Sequence, residues 1–191
     1  MIKSRNLRPQ ITNCHHIHNQ INPAHSIPTL IDGDLVLSDS HAAITYLVDT
    51  YAAHGHKLYP HDRKVRAAID RFLYFNCGSL FPAEMAIIVQ TLIKGQRPTD
   101  EQLDAWRDKV DILSKYLGGR AYLVGEHRTL ADIANYSTVG FAIQLDLELP
   151  ANVRAWFDRI AAELPYDEEV NVGPLKAIRK RWEQIVAANG N

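Results

Sequence analysis

Apolar residues recur at helical spacing through most of the chain after residue 60. The spacing predicts one long helix from about residue 62 towards residue 94, bent near Pro82. After the break at "GQRP", Thr99 and Gln102 form a capping box that starts a second helix, and Gly118 ends it. The apolar stripe of this second helix is Leu103, Trp106, Val110, Leu113 and Leu117.

Three more helices are predicted beyond residue 120. A capping box from Thr129 to Asp132 precedes a segment that is apolar on nearly every side, which is typical of the central helix of a bundle. The segments "NVRAWFDRIAAEL" and "GPLKAIRKRWEQIVAAN" supply the other two. The basic residues of "AIRKRW" lie in front of an apolar stripe, which favours a solvated helix face. Residues 62–191 are therefore predicted to form an all-α domain.

Residues 21–56 follow a different pattern. The runs "IPTLI" and "LVL" predict two short strands, and "DGD" between them predicts a hairpin turn. Ile44, Leu47, Val48 and Tyr51 then occupy one face of an amphipathic helix that ends at Gly55. The linker "HKLYPHD" separates this small αβ unit from the helices. Residues 1–20, in contrast, are polar, rich in His and without helical or alternating periodicity.

Composition limits the classes of partner. Lys and Arg total 21 against 22 acidic residues, so nothing argues for a nucleic acid or an anionic membrane as partner. The two cysteines, Cys14 and Cys77, are too few for a disulfide framework and suit a reducing compartment. No run of about 20 apolar residues predicts a membrane span, and no apolar run follows the basic start as in a secretory signal. We expect a cytoplasmic protein.

Four motifs together resemble the cytosolic glutathione S-transferases, most closely the insect delta and epsilon classes. These are "NPAHSIPTL", "SDSHAAITYL", "LYP" and "YLVGEHRTLADI", and the resemblance extends from Ile21 to the C-terminus. It implies a thioredoxin-like N-terminal part followed by an all-α domain, mostly α overall. One departure is Arg128, which precedes the cap where an apolar residue is usual.

The resemblance implies how glutathione is bound. Pro28 resembles the cis-proline of the family, which exposes the backbone of Ile27 for pairing with the tripeptide, although a proline also marks a strand edge. Ser40 at a helix start would hold the γ-glutamyl carboxylate and Asp39 would face the α-amine, but both residues also suit simple capping. His25 and His41 match positions that reach the glycyl carboxylate. The full implied set is His25, Ser26, Ile27, Pro28, Asp39, Ser40 and His41.

The thiol-activating residue is the part that the sequence does not supply. By resemblance it is a Ser hydroxyl in a strand–helix–strand unit of roughly 30–35 residues before the "NPAHSIP" turn, and only 21 residues precede Asn22. Ser4 and Thr12 are the candidate hydroxyls there, yet neither is followed by a helical pattern. The catalytic residue is therefore unknown, and we expect an incomplete thioredoxin-like part with residues 1–20 as an atypical segment.

Two functions follow. The first is conjugation of the glutathione thiol to hydrophobic electrophiles, with glutathione as co-substrate, no further cofactor, and a homodimer as in the family. In this role the resemblance places Phe75, Phe81 and Met85 in the pocket for the electrophile, although aromatic stripes at helical spacing also form cores. The alternative is a noncatalytic relative that binds ligands or dimerises. "CHHIH" groups Cys14, His15, His16 and His18, but the spacing matches no common zinc arrangement, so we expect no metal site.

Overall fold

The computed structural model describes residues 21–53 and 56–188. The chain divides after Tyr59 into two units. The candidate hydroxyls Ser4 and Thr12, and the Cys14–His18 cluster, lie outside the described residues.

The described part of the first unit is a hairpin followed by one helix. Strand β1 (Thr29–Asp32) pairs antiparallel with β2 (Leu35–Ser38), and the register places Thr29 opposite Ser38. Gly33 takes φ 62° in the tight turn between them, a left-handed conformation that glycine adopts at little cost. Helix α1 (Ser40–Tyr51) begins two residues after β2. The predicted strands and helix are present, but the helix ends at Tyr51 and not, as predicted, at Gly55.

Side chains attach α1 to the hairpin. Tyr46 and Tyr51 both donate their hydroxyl hydrogens to Oδ2 of Asp32, the last residue of β1, and the Tyr46 contact measures 2.7 Å. The hydrogen bond from Tyr51 to Asp32 raises the pKa of Tyr51 to about 12, because the carboxylate favours the protonated phenol. Of the predicted apolar face, Ile44, Leu47 and Val48 are half-buried and Tyr51 is exposed.

The second unit is helical. Its α-helices are α2 (Arg63–Phe75), α3 (Phe81–Ile88), α4 (Asp100–Leu117), α5 (Leu130–Gln144), α6 (Ala151–Glu163) and α7 (Gly173–Ala188). Short π-helical turns occupy Asn76–Leu80, Val89–Ile93 and Glu168–Val172. The expected long helix is thus α2 and α3 joined through a π-helical turn that ends just before Pro82. A proline cannot donate to the preceding turn and its ring crowds the carbonyl there, which accounts for the irregularity at this point.

Helix α5 lies in the core, as the sequence predicts. Its buried residues fall on all sides, including Leu130, Tyr136 and Val139. Both predicted capping boxes, Thr99–Gln102 and Thr129–Asp132, are present. The buried carboxylate of Asp132 extends the second box, because its Oδ1 accepts the N–H of Leu123 and the indole N–H of Trp156, both at 2.9 Å. This one side chain therefore joins the loop before α5, the start of α5 and helix α6.

Arg128, the departure from the usual apolar residue, has a local role. Its Nη1 donates to the carbonyl of Glu163 at 2.6 Å and lies 3.5 Å from the Glu163 carboxylate. A cation at the last residue of α6 complements the negative end of that helix.

One expectation about membranes needs correction. The helical stretch Arg63–Ile93 contains 31 residues and is long and apolar enough to cross a membrane by length and composition. The sequence did not predict a membrane span here, because charged residues lie at the start of Arg63–Ile93 and Glu84 lies within this stretch. A third of its most apolar window is buried inside the protein, and core helices have the same composition. Phe72, Leu80 and Ile87 of this stretch are fully buried, which favours a core helix.

Candidate functional site

A buried asparagine organises the turn before β1. Asn22 is only 2% exposed, and its Nδ2 donates to the carbonyl of Ser26 at 3.0 Å and to the hydroxyl of Thr29 at 3.0 Å. Its Oδ1 accepts the N–H of Ala24 at 2.9 Å. The amide thus closes the turn formed by residues 22–29, and the residues between Asn22 and Thr29 are exposed.

Ile27 and Pro28 lie at the exposed edge of this turn. The peptide bond between them is cis, and Ile27 is 85% exposed. Among the described residues, neither the N–H nor the C=O of Ile27 has a hydrogen-bond partner. An exposed pair of unpaired backbone groups beside a strand is the arrangement that binds an extended peptide by strand addition.

The hairpin register brings the two halves of the predicted site together. Because Thr29 pairs with Ser38, the residue before Thr29 and the residue after Ser38 leave the sheet at the same end. Pro28 and Asp39 are these residues, so Ile27–Pro28 and Asp39–Ser40 are neighbours at one end of the hairpin. No single stretch of sequence contains this relationship.

Asp39 is the N-cap of α1. Its Oδ1 accepts the N–H of His41 at 2.8 Å and of Ala42 at 3.1 Å, so the capping alternative is correct for this oxygen. Among the described residues all contacts to the carboxylate are made through Oδ1, and Oδ2 has none. Asp39 also has φ 85°, a conformation rare for residues with a Cβ that tends to occur at functional sites.

Ser40 follows as the first helical residue and is exposed. The Asp39 side chain accepts the N–H groups of His41 and Ala42 but not that of Ser40. Within the described chain, the Ser40 N–H and hydroxyl have no partner. A free N–H and a hydroxyl at a helix N-terminus, where the dipole is positive, suit a carboxylate.

The two histidines differ in their surroundings. His25 is exposed and takes φ 53° at the tip of the Asn22 turn. The side chain of His41 is mostly buried, and its Nδ1 lies 3.5 Å from Oδ1 of Asp39. His41 therefore contacts the Asp39 carboxylate, whereas His25 faces solvent.

The residues predicted for the electrophile pocket lie on either side of the π-helical turn Asn76–Leu80 of the second unit. Phe81 and Met85 are one helical turn apart on α3, with Phe81 42% exposed. Phe75 packs edge-to-face on Tyr116 of α4, with ring centroids 5.7 Å apart. Phe72, one turn before Phe75, is fully buried and belongs to the core.

Glu84 lies between Phe81 and Met85 along the same helix and is almost completely buried. Its Oε1 has no hydrogen-bond partner among the described residues. Burial raises the pKa of this carboxyl well above its usual range, partly offset by the backbone of Ala142. Sequence reasoning missed this property, because one Glu in an apolar helix gives no indication of which way it points.

Sequence reasoning also missed Asn22. Its signal was present: an Asn before a proline, with hydroxyl residues four and seven positions later, is a pattern for a side chain that closes a turn. The part of the chain that the structure describes holds no cluster of three or more His, Cys, Asp or Glu side chains suited to a metal ion.

Known proteins with similar sequences and structures agree with one another. Residues 80–163 match the family described as Glutathione S-transferase, C-terminal domain. The chain is 32% identical to glutathione S-transferase D7 of Drosophila melanogaster over 171 residues, which cover 88% of the chain and 76% of that protein. It is 31% identical to glutathione S-transferase D6 of the same species over 84% of the chain and 75% of that protein.

Solved structures give the same answer. A delta-class glutathione transferase of Nilaparvata lugens superposes with a TM-score of 0.80 at 28% identity, over 87% of this chain and 78% of that one. Glutathione S-transferase 1-6 of Anopheles dirus species B superposes with a TM-score of 0.73 at 33% identity, over 91% and 80%. The central helix of the helical unit begins at a capping box, and the hairpin unit precedes it in the sequence. The chain belongs to the glutathione S-transferase family and is similar to its insect delta and epsilon members.

Proposed function

We propose that this chain binds glutathione at the end of the hairpin where Ile27–Pro28 and Asp39–Ser40 meet, and conjugates it through its thiol sulfur to a hydrophobic electrophile. The observation that carries the proposal is the Thr29–Ser38 register. It sets the exposed, unpaired backbone groups of Ile27 beside the N–H of Ser40 and the carboxylate of Asp39.

Each group at this end of the hairpin suits one part of the tripeptide. The N–H and C=O of Ile27 pair with the cysteinyl residue as an added strand does. The N–H and hydroxyl of Ser40 hold the γ-glutamyl carboxylate, and Oδ2 of Asp39 accepts the α-ammonium group. His25 binds the glycyl carboxylate, and Ser26 and Pro28 shape the turn. His41 lies against Asp39 and orients its carboxylate.

The chemistry requires the thiolate form of glutathione. A thiol titrates near pH 8.5, so lowering its pKa by about two units requires about 2.7 kcal/mol of preferential stabilisation of the thiolate. The thiolate then attacks the electrophilic carbon, a carbon–sulfur bond forms, and the leaving group departs with its electron pair. We assign no residue to thiol activation, and Ser4 and Thr12 remain candidates outside the described residues.

The electrophile is a mainly apolar compound that contacts Phe75, Phe81 and Met85. Around them α3 exposes aromatic surface, and Tyr74 on the preceding helix is 73% exposed. Exposed aromatic surface of this extent supports a homodimer. We further propose a cytoplasmic role in detoxification, in keeping with the glutathione chemistry and with a free, exposed thiol at Cys77.

The decisive experiment compares two serines. The full chain is tested for retention on immobilised glutathione and for conjugation of an aryl halide. We expect Ser40→Ala to weaken glutathione binding by about 10-fold, in line with the loss of one hydrogen bond to a charged group. Ser38→Ala, at the exposed last residue of β2, should leave binding unchanged. Failure of the unaltered chain to bind glutathione would refute the proposal.

A further inference from the structure

Helix α3 is a short segment of eight residues held between two π-helical turns. The turn Asn76–Leu80 precedes it, and the turn Val89–Ile93 follows it. In the first turn the N–H of Phe81 donates to the carbonyl of Asn76, five residues earlier. Such turns are rare and occur mostly at functional sites. A return of either turn to bonding over four residues turns and shifts α3 without unfolding it.

The core-facing side of α3 contains a carboxyl group. Its buried residues are Glu84, Ile87 and Ile88, and Glu84 is 1% exposed. Among the described residues, Oε1 of Glu84 has no hydrogen-bond partner. Buried polar groups are nearly always hydrogen-bonded, and an ionised carboxylate without a partner is strongly destabilised away from water. The packed position of α3 is therefore suited to the neutral form of Glu84 and not to the ionised form.

Within the described chain, the elements that pack against α3 bring no compensating charge to Glu84. These elements are the two π-helical turns, α4 and α5. The turns hold one titratable group, the exposed thiol of Cys77, and on α5 Asp132 and Tyr136 are bonded to other partners. The titratable side chains of α4 are all exposed or half-buried, namely Asp100, Glu101, Asp104, Arg107, Asp108, Lys109, Asp111, Lys115 and Tyr116. Burial and, with the opposite sign, the backbone of Ala142 are accordingly what shifts the pKa of Glu84.

Two residues of the proposed electrophile pocket lie on the same short helix. Phe81 is 42% exposed, and Met85, the residue after Glu84, is half-buried. All three side chains belong to one segment of eight residues. A movement of α3 that brings the Glu84 carboxylate to water therefore displaces Phe81 and Met85 as well.

We propose that Glu84 is a positioning residue of the electrophile pocket: when its carboxyl group releases its proton to the solvent, α3 moves on its two π-helical turns and displaces Phe81 and Met85. Neutral Glu84 keeps α3 in the packed position, in which the pocket is complete. The consequence for conjugation rests on the function proposed above. The movement itself is a property of the helical unit and needs neither glutathione nor an electrophile.

The movement is tested on the full chain by NMR of methyl-labelled methionine. The chain has two methionines, Met1 and Met85, and Met85→Leu assigns the Met85 resonance. A neutral gadolinium chelate in the solvent then reports the exposure of this methyl group. We expect its paramagnetic relaxation to rise by about 2-fold or more from pH 5 to pH 9, because the population shifts to the displaced state, and to stay constant in Glu84→Gln. Glu101→Gln, at an exposed position of α4, should respond as the unaltered chain does. Relaxation that is independent of pH, or that rises equally in Glu84→Gln, overturns the proposal.

The effect on the pocket is measured by conjugation of 1-chloro-2,4-dinitrobenzene at saturating glutathione. The KM of the unaltered chain for this aryl halide should rise by about 3-fold from pH 6 to pH 8, whereas the KM of Glu84→Gln should stay constant, because a change in KM alone reports binding of the electrophile. The pH profile of kcat, which follows the thiolate, should be the same in both proteins. Equal KM profiles in the two proteins would overturn the role of Glu84 in the pocket. A chain that conjugates nothing would refute the transferase proposal, and the Met85 measurement then decides the role of Glu84 by itself.

Discussion

Asp39 accepts the backbone N–H of His41 at 2.8 Å while its own backbone is held at φ 85°. Such a conformation costs about 1–3 kcal/mol in a residue with a Cβ. Capping offsets part of this cost, since a good N-cap contributes about 0.5–2 kcal/mol. The position is therefore expected to serve both the helix and the ligand, and the two roles can be separated by substitution.

We predict that Asp39→Asn keeps the fold and weakens glutathione. Asn caps helices as well as Asp and tolerates positive φ, so the free energy of unfolding should change by less than about 0.5 kcal/mol. The lost charge removes the partner of the α-ammonium group, so affinity should fall by about 10-fold. Thermal melting and calorimetric titration with glutathione measure the two effects. Asp39→Ala is the comparison and should lose about 1 kcal/mol of stability as well. Unchanged affinity in the Asn variant would show that Asp39 only caps.

Asn22 should matter for glutathione without contacting it. We predict that Asn22→Asp weakens binding by about 10-fold or more, because the carboxylate cannot donate to Ser26 and Thr29 and the turn that presents Ile27 loosens. The Asp variant retains the acceptor for Ala24, so the effect comes from the lost donor and from the buried carboxylate that replaces it. Thr29→Val removes only one hydroxyl of the same network and should have a smaller effect on the same titration. An Asp variant that binds as tightly as the unaltered chain would rule out this role.

The sequence indicated the elements of the fold because their causes are local. The Thr99 and Thr129 boxes, the stripe through Trp106 and Val110, and the "DGD" turn each lie within a few residues along the chain. Local hydrogen bonding and periodicity are visible in a linear pattern. The irregularity just before Pro82, a π-helical turn where the sequence predicted a bend, was foreseeable in position, since the missing N–H of proline is a property of that residue alone.

What the sequence could not reveal depends on pairing across the chain. The junction at Asp132 follows from helix packing that brings Trp156 to it, whereas the meeting of Pro28 and Asp39, which the resemblance implied, takes its geometry from the strand register. The side on which Glu84 lies depends on the irregular turn at Asn76–Leu80, which shifts the helical phase by a fraction of a turn. These are properties of tertiary structure, and composition carries no trace of them.

Asp132 should be among the most sensitive positions of the helical unit. Its carboxylate receives the N–H and hydroxyl of Thr129 in addition to the bonds from Leu123 and Trp156. We predict that Asp132→Asn lowers the free energy of unfolding by about 2–4 kcal/mol. The NH₂ group of Asn would replace one accepting oxygen and would lie against N–H and O–H donors in a buried site. Urea denaturation followed by circular dichroism measures this.

A double-mutant cycle provides the control for Asp132. Trp156→Phe removes one donor, and combined with Asp132→Asn it should cost less than the sum of the two single changes. Strict additivity would show that the indole and the carboxylate do not interact in solution.

Glu84 should make the stability of the protein depend on pH in the direction opposite to that of most carboxylates. Its pKa in the folded protein is raised above the ordinary value of 4.5, first of all by burial. The folded state therefore binds the proton more tightly than the unfolded chain does, and the favourable contribution of Glu84 is fully present below pH 4.5. This contribution is lost as the pH rises from there through the folded pKa.

The matching variant is Glu84→Gln, which is neutral at every pH. We expect it to melt at a higher temperature than the unaltered chain at pH 8 and at nearly the same temperature at pH 4, since only the ionised carboxylate is penalised by burial. Glu101→Gln, at an exposed position in the first turn of α4, should show no gain at pH 8, because an acidic residue there stabilises the helix start. A melting difference between Glu84→Gln and the unaltered chain that is the same at pH 4 and pH 8 would mean that the Glu84 carboxyl reaches water in solution.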